Sequence, residues 1–237
     1  MRCWIDTDVG DDPDDAIALL CAAAHPDVEI VGVSTVDGDV EMRAELARAL
    51  VPGVDVVAGP PPSDALAAAD TLLLIGPWTH GAELVTRGQL PRRVGAMGGT
   101  IRPVIHHGQL RVVEHNVSRN PDAARVLLAQ QQPLLITPLD VTATIECTRE
   151  EERALVRAEP RLEPMLARWR RARGDVALCL HDPLALLALV GEPGIEIERC
   201  ALSVGRNGVM RSHGALHDIV VAADRQAIVT RVLTLLG

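Results

Sequence analysis

The chain has 237 residues, a formal charge of −9 at pH 7, 48% hydrophobic residues and 1% aromatics. That length suits one α/β domain with a core of Leu, Val, Ile and Ala, and the acidic balance argues against a nucleic-acid-binding surface. All 23 basic residues are arginine, which excludes a catalytic lysine and the lysine of a Walker loop.

Residues 3–5 read as a buried first strand that begins almost at Met1, so no signal peptide is expected. The five cysteines (Cys3, Cys21, Cys147, Cys179 and Cys200) are odd in number and form no C-x-x-C pair. They read as reduced core residues of a cytoplasmic protein, and no apolar run approaches membrane length.

After this strand, Asp6, Asp8, Asp11, Asp12, Asp14 and Asp15 fall within ten residues, and residues 14–20 open a helix. Ligands of open α/β sheets bind at such strand-to-helix loops. Helix capping explains part of the stretch: Asp12 suits the N-cap, Pro13 the first helical position, and Asp14 and Asp15 the dipole. Capping leaves Asp6 and Asp8 unexplained, and carboxylates so close need a cation to stay ionised together. An all-oxygen cluster favours calcium or magnesium. An EF-hand does not fit, because Gly10 falls at a ligand position and Ile17 replaces the closing glutamate.

Further along, strands are expected at 29–36, 54–58, 71–75 and 93–97, alternating with helices at 41–51 and 81–87. The alternation predicts a doubly wound, mostly parallel open sheet of Rossmann-like kind, as a single domain over residues 1–237. Residues 100–120 break the rhythm with His106-His107-Gly108, a short β-like run and Glu114-His115-Asn116. His106 and His107 read as an exposed turn. Asn120-Pro121 caps a helix reaching about residue 130, and a strand at 134–137 follows. Thr148 and Glu151 form a capping box, and residues 161–173 an arginine-rich helix whose Trp169 is the one residue suited to a ligand. His181-Asp182-Pro183 opens another helix, and strands near 197–204 and 219–222 precede a last helix at 225–236.

Taken together, the motifs resemble the nucleoside hydrolase family, the inosine/uridine-preferring N-ribohydrolases. Asp6 to Ala16 is similar to the family's N-terminal signature D-T-D-x-G-x-D-x-D-D-A. Further blocks follow in family order: Gly32 to Asp39, Gly76-Pro77-Trp78-Thr79, Met97-Gly98-Gly99, Glu114-His115-Asn116, Asn120-Pro121-Asp122, Pro138-Leu139-Asp140 and His181-Asp182-Pro183. The resemblance implies the nucleoside hydrolase fold and a calcium-dependent hydrolase that releases free base from ribonucleosides in nucleoside salvage. It implies Asp8, Asp15, Asp182 and the Ile75 carbonyl as calcium ligands, with Asp14, Asp39, Glu114 and Asn116 on the ribose side. Asp8 would also be the general base on the attacking water, and His181 the acid or hydrogen-bond donor to the departing base. Asp6, Asp12, Trp78 and His80 are candidates for supporting or base-side positions. Homo-oligomers, dimers or tetramers, are common in that family.

The chain departs from the family's pattern in several places. It is short, residues 58–71 are too brief for the usual His-Gly loop, and Asp39 and His80 stand where Asn is customary. Residues 161–173 lack tyrosines that could cover a base. A reduced lid over an intact catalytic floor is therefore expected. Two rivals fit parts of the pattern: a calcium-dependent ribose or nucleoside binder without catalysis, and a haloacid-dehalogenase-like phosphatase. The absent lysine and the Asp14-Asp15 pair count against the phosphatase.

Overall fold

A computed structural model describes residues 1–237. Its strands, in chain order, are β1 (Arg2–Thr7), β2 (Glu29–Thr35), β3 (Val56–Ala58), β4 (Thr71–Leu74), β5 (Arg93–Met97), β6 (Val104–His106), β7 (Gln109–Arg111), β8 (Leu135–Thr137), β9 (Glu146–Cys147), β10 (Leu178–Cys179), β11 (Ile195–Val204) and β12 (Met210–Ala223). The helices are α1 (Asp14–Ala24), α2 (Val40–Leu50), α3 (Ser63–Leu66), α4 (Thr79–Arg87), α5 (His115–Arg119), α6 (Pro121–Leu128), α7 (Leu139–Thr142), α8 (Arg149–Ala158), α9 (Leu162–Arg173), α10 (His181–Val190) and α11 (Arg225–Leu236).

Eight strands form the main sheet in the order β11-β12-β8-β5-β4-β1-β2-β3. From β12 to β3 every neighbouring pair is parallel, and β11 joins the edge antiparallel. The expected mostly parallel α/β sheet is therefore present. Chain order reverses direction between β1 and β4, so the loops leaving these two strands part and open a crevice at their carboxyl ends.

Alternate side chains of β1 and β4 enter opposite layers. Cys3, Ile5 and Leu73 join the core beneath α1, α10 and α11, while Trp4, Leu72 and Leu74 join the core beneath α4 and α6. Burial on both faces explains why these strands read as continuous apolar runs. Full burial of a leucine is worth about 2 kcal/mol, so Leu72, Leu73 and Leu74 anchor β4 firmly between the layers. No helix is long and apolar enough to cross a membrane.

Several sequence expectations change. Asp12 does not cap α1: Pro13 occupies the N-cap position, already in a right-handed helical conformation, and no side-chain cap forms. The turn read at His106-His107 is present but half-buried: it is the loop of a β6–β7 hairpin, with His107 and Gly108 both at positive φ, the pairing a tight two-residue hairpin loop requires. The late strands are longer than expected, because β12 begins at Met210 with polar, exposed residues that carry no strand periodicity. A register shift near Leu202 accommodates Gly214, where a Cβ would lie 2.2 Å from the Leu202 carbonyl oxygen. By contrast, the Asn120 cap and the Thr148–Glu151 capping box form as read.

Candidate active site

The first turns of α1 and α10 meet at the crevice. Asp14, Asp15 and Asp182 are all buried, and one carboxylate oxygen from each lies within 4.8 Å of the other two. Burial and then mutual repulsion push the Asp14 carboxyl up to about 7 and hold Asp15 and Asp182 well above the usual range. The side-chain charges acting on the trio are themselves carboxylates: Asp8, Asp12, Glu114 and one another. Thr7 Oγ1 donates to Asp15 Oδ1 at 2.5 Å and so aims that carboxylate. An all-oxygen, anionic and otherwise uncompensated donor set fits a hard divalent cation.

Asp8 stands beside this trio, half-buried, on the loop that leaves β1. A carboxylate oxygen of Asp8 comes within 4.8 Å of donor atoms of Asp37 and His115. Burial pushes the Asp8 carboxyl up to about 7 against the opposing charge of Arg43. Arg43, buried on α2, holds the loop: it donates to the Asp8 carbonyl, to Val9 O at 3.2 Å and to Asp37 O at 2.8 Å. It also pairs with Asp11 at 2.8 Å. The structure thus groups Asp14, expected on the sugar, with Asp15 and Asp182. Asp8, expected on the metal, groups with Asp37 and His115.

The far wall comes from β4 and α5. Gly76 lets the two strand ends approach, since a Cβ there would meet Val36 Cγ1 at 2.6 Å and Asp8 N at 2.9 Å. Immediately before it, the Ile75 carbonyl accepts from Asn116 Nδ2 at 3.2 Å. Glu114 is buried and accepts from the backbone N–H groups of Gly99, Asn116 and Val117 at 3.0, 2.7 and 3.1 Å. Burial raises its pKa, opposed by those donors. Gly98, at φ +149°, keeps the approach clear, because a Cβ would press on Trp78 and Glu114.

Other sequence candidates lie elsewhere. Trp78 is fully buried and donates to Met97 O at 2.9 Å, so it supports the Gly98 turn. Trp169 is likewise a core residue, with the Arg170 guanidinium 4.7 Å from its ring centre. Exposed Asp39 caps α2 through Met42 N at 3.1 Å. Asp12 lies 3.4 Å from Arg173 at the end of α9. Asp6 lies beneath the loop, where its Oδ1 accepts from Ser34 Oγ at 2.5 Å and pairs with His80 Nδ1 at 2.9 Å.

His181 opens α10 next to Asp182. Thr142 Oγ1 lies 2.7 Å from its Nδ1 and 3.4 Å from Leu139 O, so the ring carries its proton on Nδ1 when Thr142 donates to Leu139 and on Nε2 when Thr142 donates to the ring. Burial, then the charges of His106 and His107, lower its pKa to about 3. His106 packs edge-on against His181 with ring centres 5.1 Å apart, and His107 stacks on His106 at 3.8 Å. These two histidines, Thr142, Arg43 and Asp37 were not among the sequence candidates. Thr7, inside the D-T-D triplet, carried the one local signal.

Comparison with known proteins fits this geometry. An uncharacterized protein of Schizosaccharomyces pombe is 26% identical over 253 residues, spanning 80% of each chain. An inosine-uridine preferring nucleoside hydrolase of Bacillus anthracis superposes with a TM-score of 0.80 at 16% identity, over 100% of this chain and 99% of that one. A purine-preferring ribonucleoside hydrolase of Gardnerella vaginalis gives 0.79 at 19% identity, over 100% and 99%. Such likeness establishes the shared fold. The sequence model of the inosine-uridine preferring nucleoside hydrolases matches residues 54–230. The chain belongs to that family of hydrolases acting on N-glycosyl bonds.

Proposed function

We propose that the protein hydrolyses the N-glycosidic bond of ribonucleosides in a calcium-dependent reaction, releasing free base and ribose. The observation that carries this reading is the buried trio Asp14, Asp15 and Asp182, uncompensated by any side-chain cation, at the carboxyl ends of β1 and β4. Asp15, Asp182, Asp8 and the Ile75 carbonyl are the proposed holders of the ion, with Asp14 on the ribose hydroxyls. A bound calcium would anchor water and ribose hydroxyls and acidify that water.

The side chains then divide the work. Asp8 takes the proton of the attacking water as general base. Glu114 and Asn116 supply an acceptor and an amide to the ribose hydroxyls, and the surrounding carboxylates stabilise the positive charge of an oxocarbenium-like transition state. His181 offers its neutral Nε2–H to the departing base.

The test is a panel of ribonucleosides incubated with the protein in calcium and in chelator. Calcium-dependent appearance of free base supports the reading, and no base from any nucleoside overturns it. Calcium-dependent nucleoside binding without base release would select a binding protein instead.

A further inference from the structure

We propose that His106, Cys179 and His181 form a second metal site, selective for a thiophilic transition ion such as zinc. The three residues come from the β6 end, the β10 end and the first turn of α10, and one donor atom of each lies within 4.8 Å of the other two. Two imidazoles and one thiolate are a borderline-soft set, which favours zinc over the calcium suited to the neighbouring acids. Three protein ligands leave a fourth tetrahedral position open.

The surroundings already hold these groups in place. His107, which stacks on His106, bonds through Nε2 to Ala177 O at 3.1 Å, so the hairpin is fastened to the segment that leads into Cys179. Thr142 Oγ1 fixes His181 by Nδ1 and leaves Nε2 as the nitrogen to take an ion.

Proton balance is straightforward. With the ion on Nε2, the His181 proton stands on Nδ1, where it is donated to Thr142 Oγ1, whose hydroxyl turns to Leu139 O at 3.4 Å. The Cys179 thiol, which burial keeps protonated, gives its proton to solvent as the sulfur–metal bond forms. Binding therefore releases one proton and leaves a unit of net charge +1 near Asp14, whose charge already reaches the thiol. Occupancy also removes the Nε2–H donor and pins the β6–β7 hairpin to α10. Zinc then inhibits base release, a consequence that rests on the hydrolase reading whereas the binding itself does not.

The test is titration of the whole protein with cobalt(II), in excess calcium so that the acidic site is filled. The expected result is one equivalent bound, with a near-ultraviolet thiolate charge-transfer band that zinc abolishes. His106→Ala, on the partly exposed hairpin and outside the core, should weaken this binding by about 100-fold or more, and Cys179→Ser should remove the band. Cobalt bound without a thiolate band, or a band unchanged in His106→Ala, overturns the site. A band of the expected kind without zinc inhibition upholds the site and removes His181 from its role in base departure.

Discussion

His80 Nδ1 lies 2.9 Å from Asp6 Oδ1, joining α4 to β1 beneath the acid loop across 74 residues of sequence. Asp6 is fully buried, and its other oxygen has no hydrogen-bond partner. Burial alone would lower the His80 pKa, but the hydrogen bond and charge of Asp6 outweigh it and raise it above 6.5. The stabilisation from a raised histidine is complete below its unfolded pKa and is lost as pH rises through the folded one. His80→Gln should therefore cost about 3 kcal/mol near pH 6, by leaving buried Asp6 without a charged partner, and less near pH 9. Urea unfolding at both pH values checks this, and a constant difference refutes the protonated pair.

Asp8→Ala should lower base release by about 10³-fold, the scale of a lost general base, and weaken calcium binding. Asp182→Asn should cost calcium affinity first and activity through it, so that raised calcium recovers part of the rate. Calorimetric calcium titration beside steady-state kinetics separates the two. Full activity in Asp8→Ala removes the base assignment.

Arg43→Ala should destabilise the protein by about 3 kcal/mol, because it strips charged donors from the buried carbonyls of Asp8 and Val9. Activity should fall further than stability alone predicts, since the Asp8 loop loses its clamp. Rates measured well below the variant's melting temperature, with Arg43→Lys for comparison, test this. Lysine keeps the charge but not the fork that reaches Asp37, Asp11 and the loop together.

In chelator, carboxyls with raised pKa make the folded chain hold more protons than the unfolded chain. Stability should then decline as pH rises from about 4 to about 7, the span between the ordinary carboxylate value and that of Asp8 and Asp14. Calcium should flatten this slope and raise the melting temperature most at the alkaline end. Thermal scans across that range, with and without calcium, provide the measurement. A stability that rises with pH in chelator would contradict the buried, unpaired trio.

The sequence exposes the parts of this site whose causes are local. β1, β4 and β5 are legible because strands covered on both faces must be apolar throughout, and Gly76 and Gly98 mark where they stop. The acid loop is legible because so many carboxylates in one turn exceed what capping can use. Arg43 is not, since the loop carbonyls it holds, those of Asp8 and Val9, lie over 30 residues away and leave no pattern in composition. The two-residue strands β9 and β10 are too short for periodicity. The β6–β7 hairpin is legible only as a turn and a short β-like run, because its exposed Ile105 and Leu110 alternate too briefly to signal two paired strands. Asp12 misled because Asp-Pro is a common helix opening, whereas Pro13 itself sits at the N-cap here.

The distance along the chain between Asp15 and Asp182 has a consequence for biosynthesis. During translation the first six aspartates leave the ribosome early, and β1 and α1 cannot yet be sealed by α10. The N-terminal half emerges with its acids hydrated and its central strand lacking one covering layer. The arrival of α10 both covers that strand and brings Asp182 to Asp14 and Asp15, so the proposed metal capture waits for the last quarter of the chain.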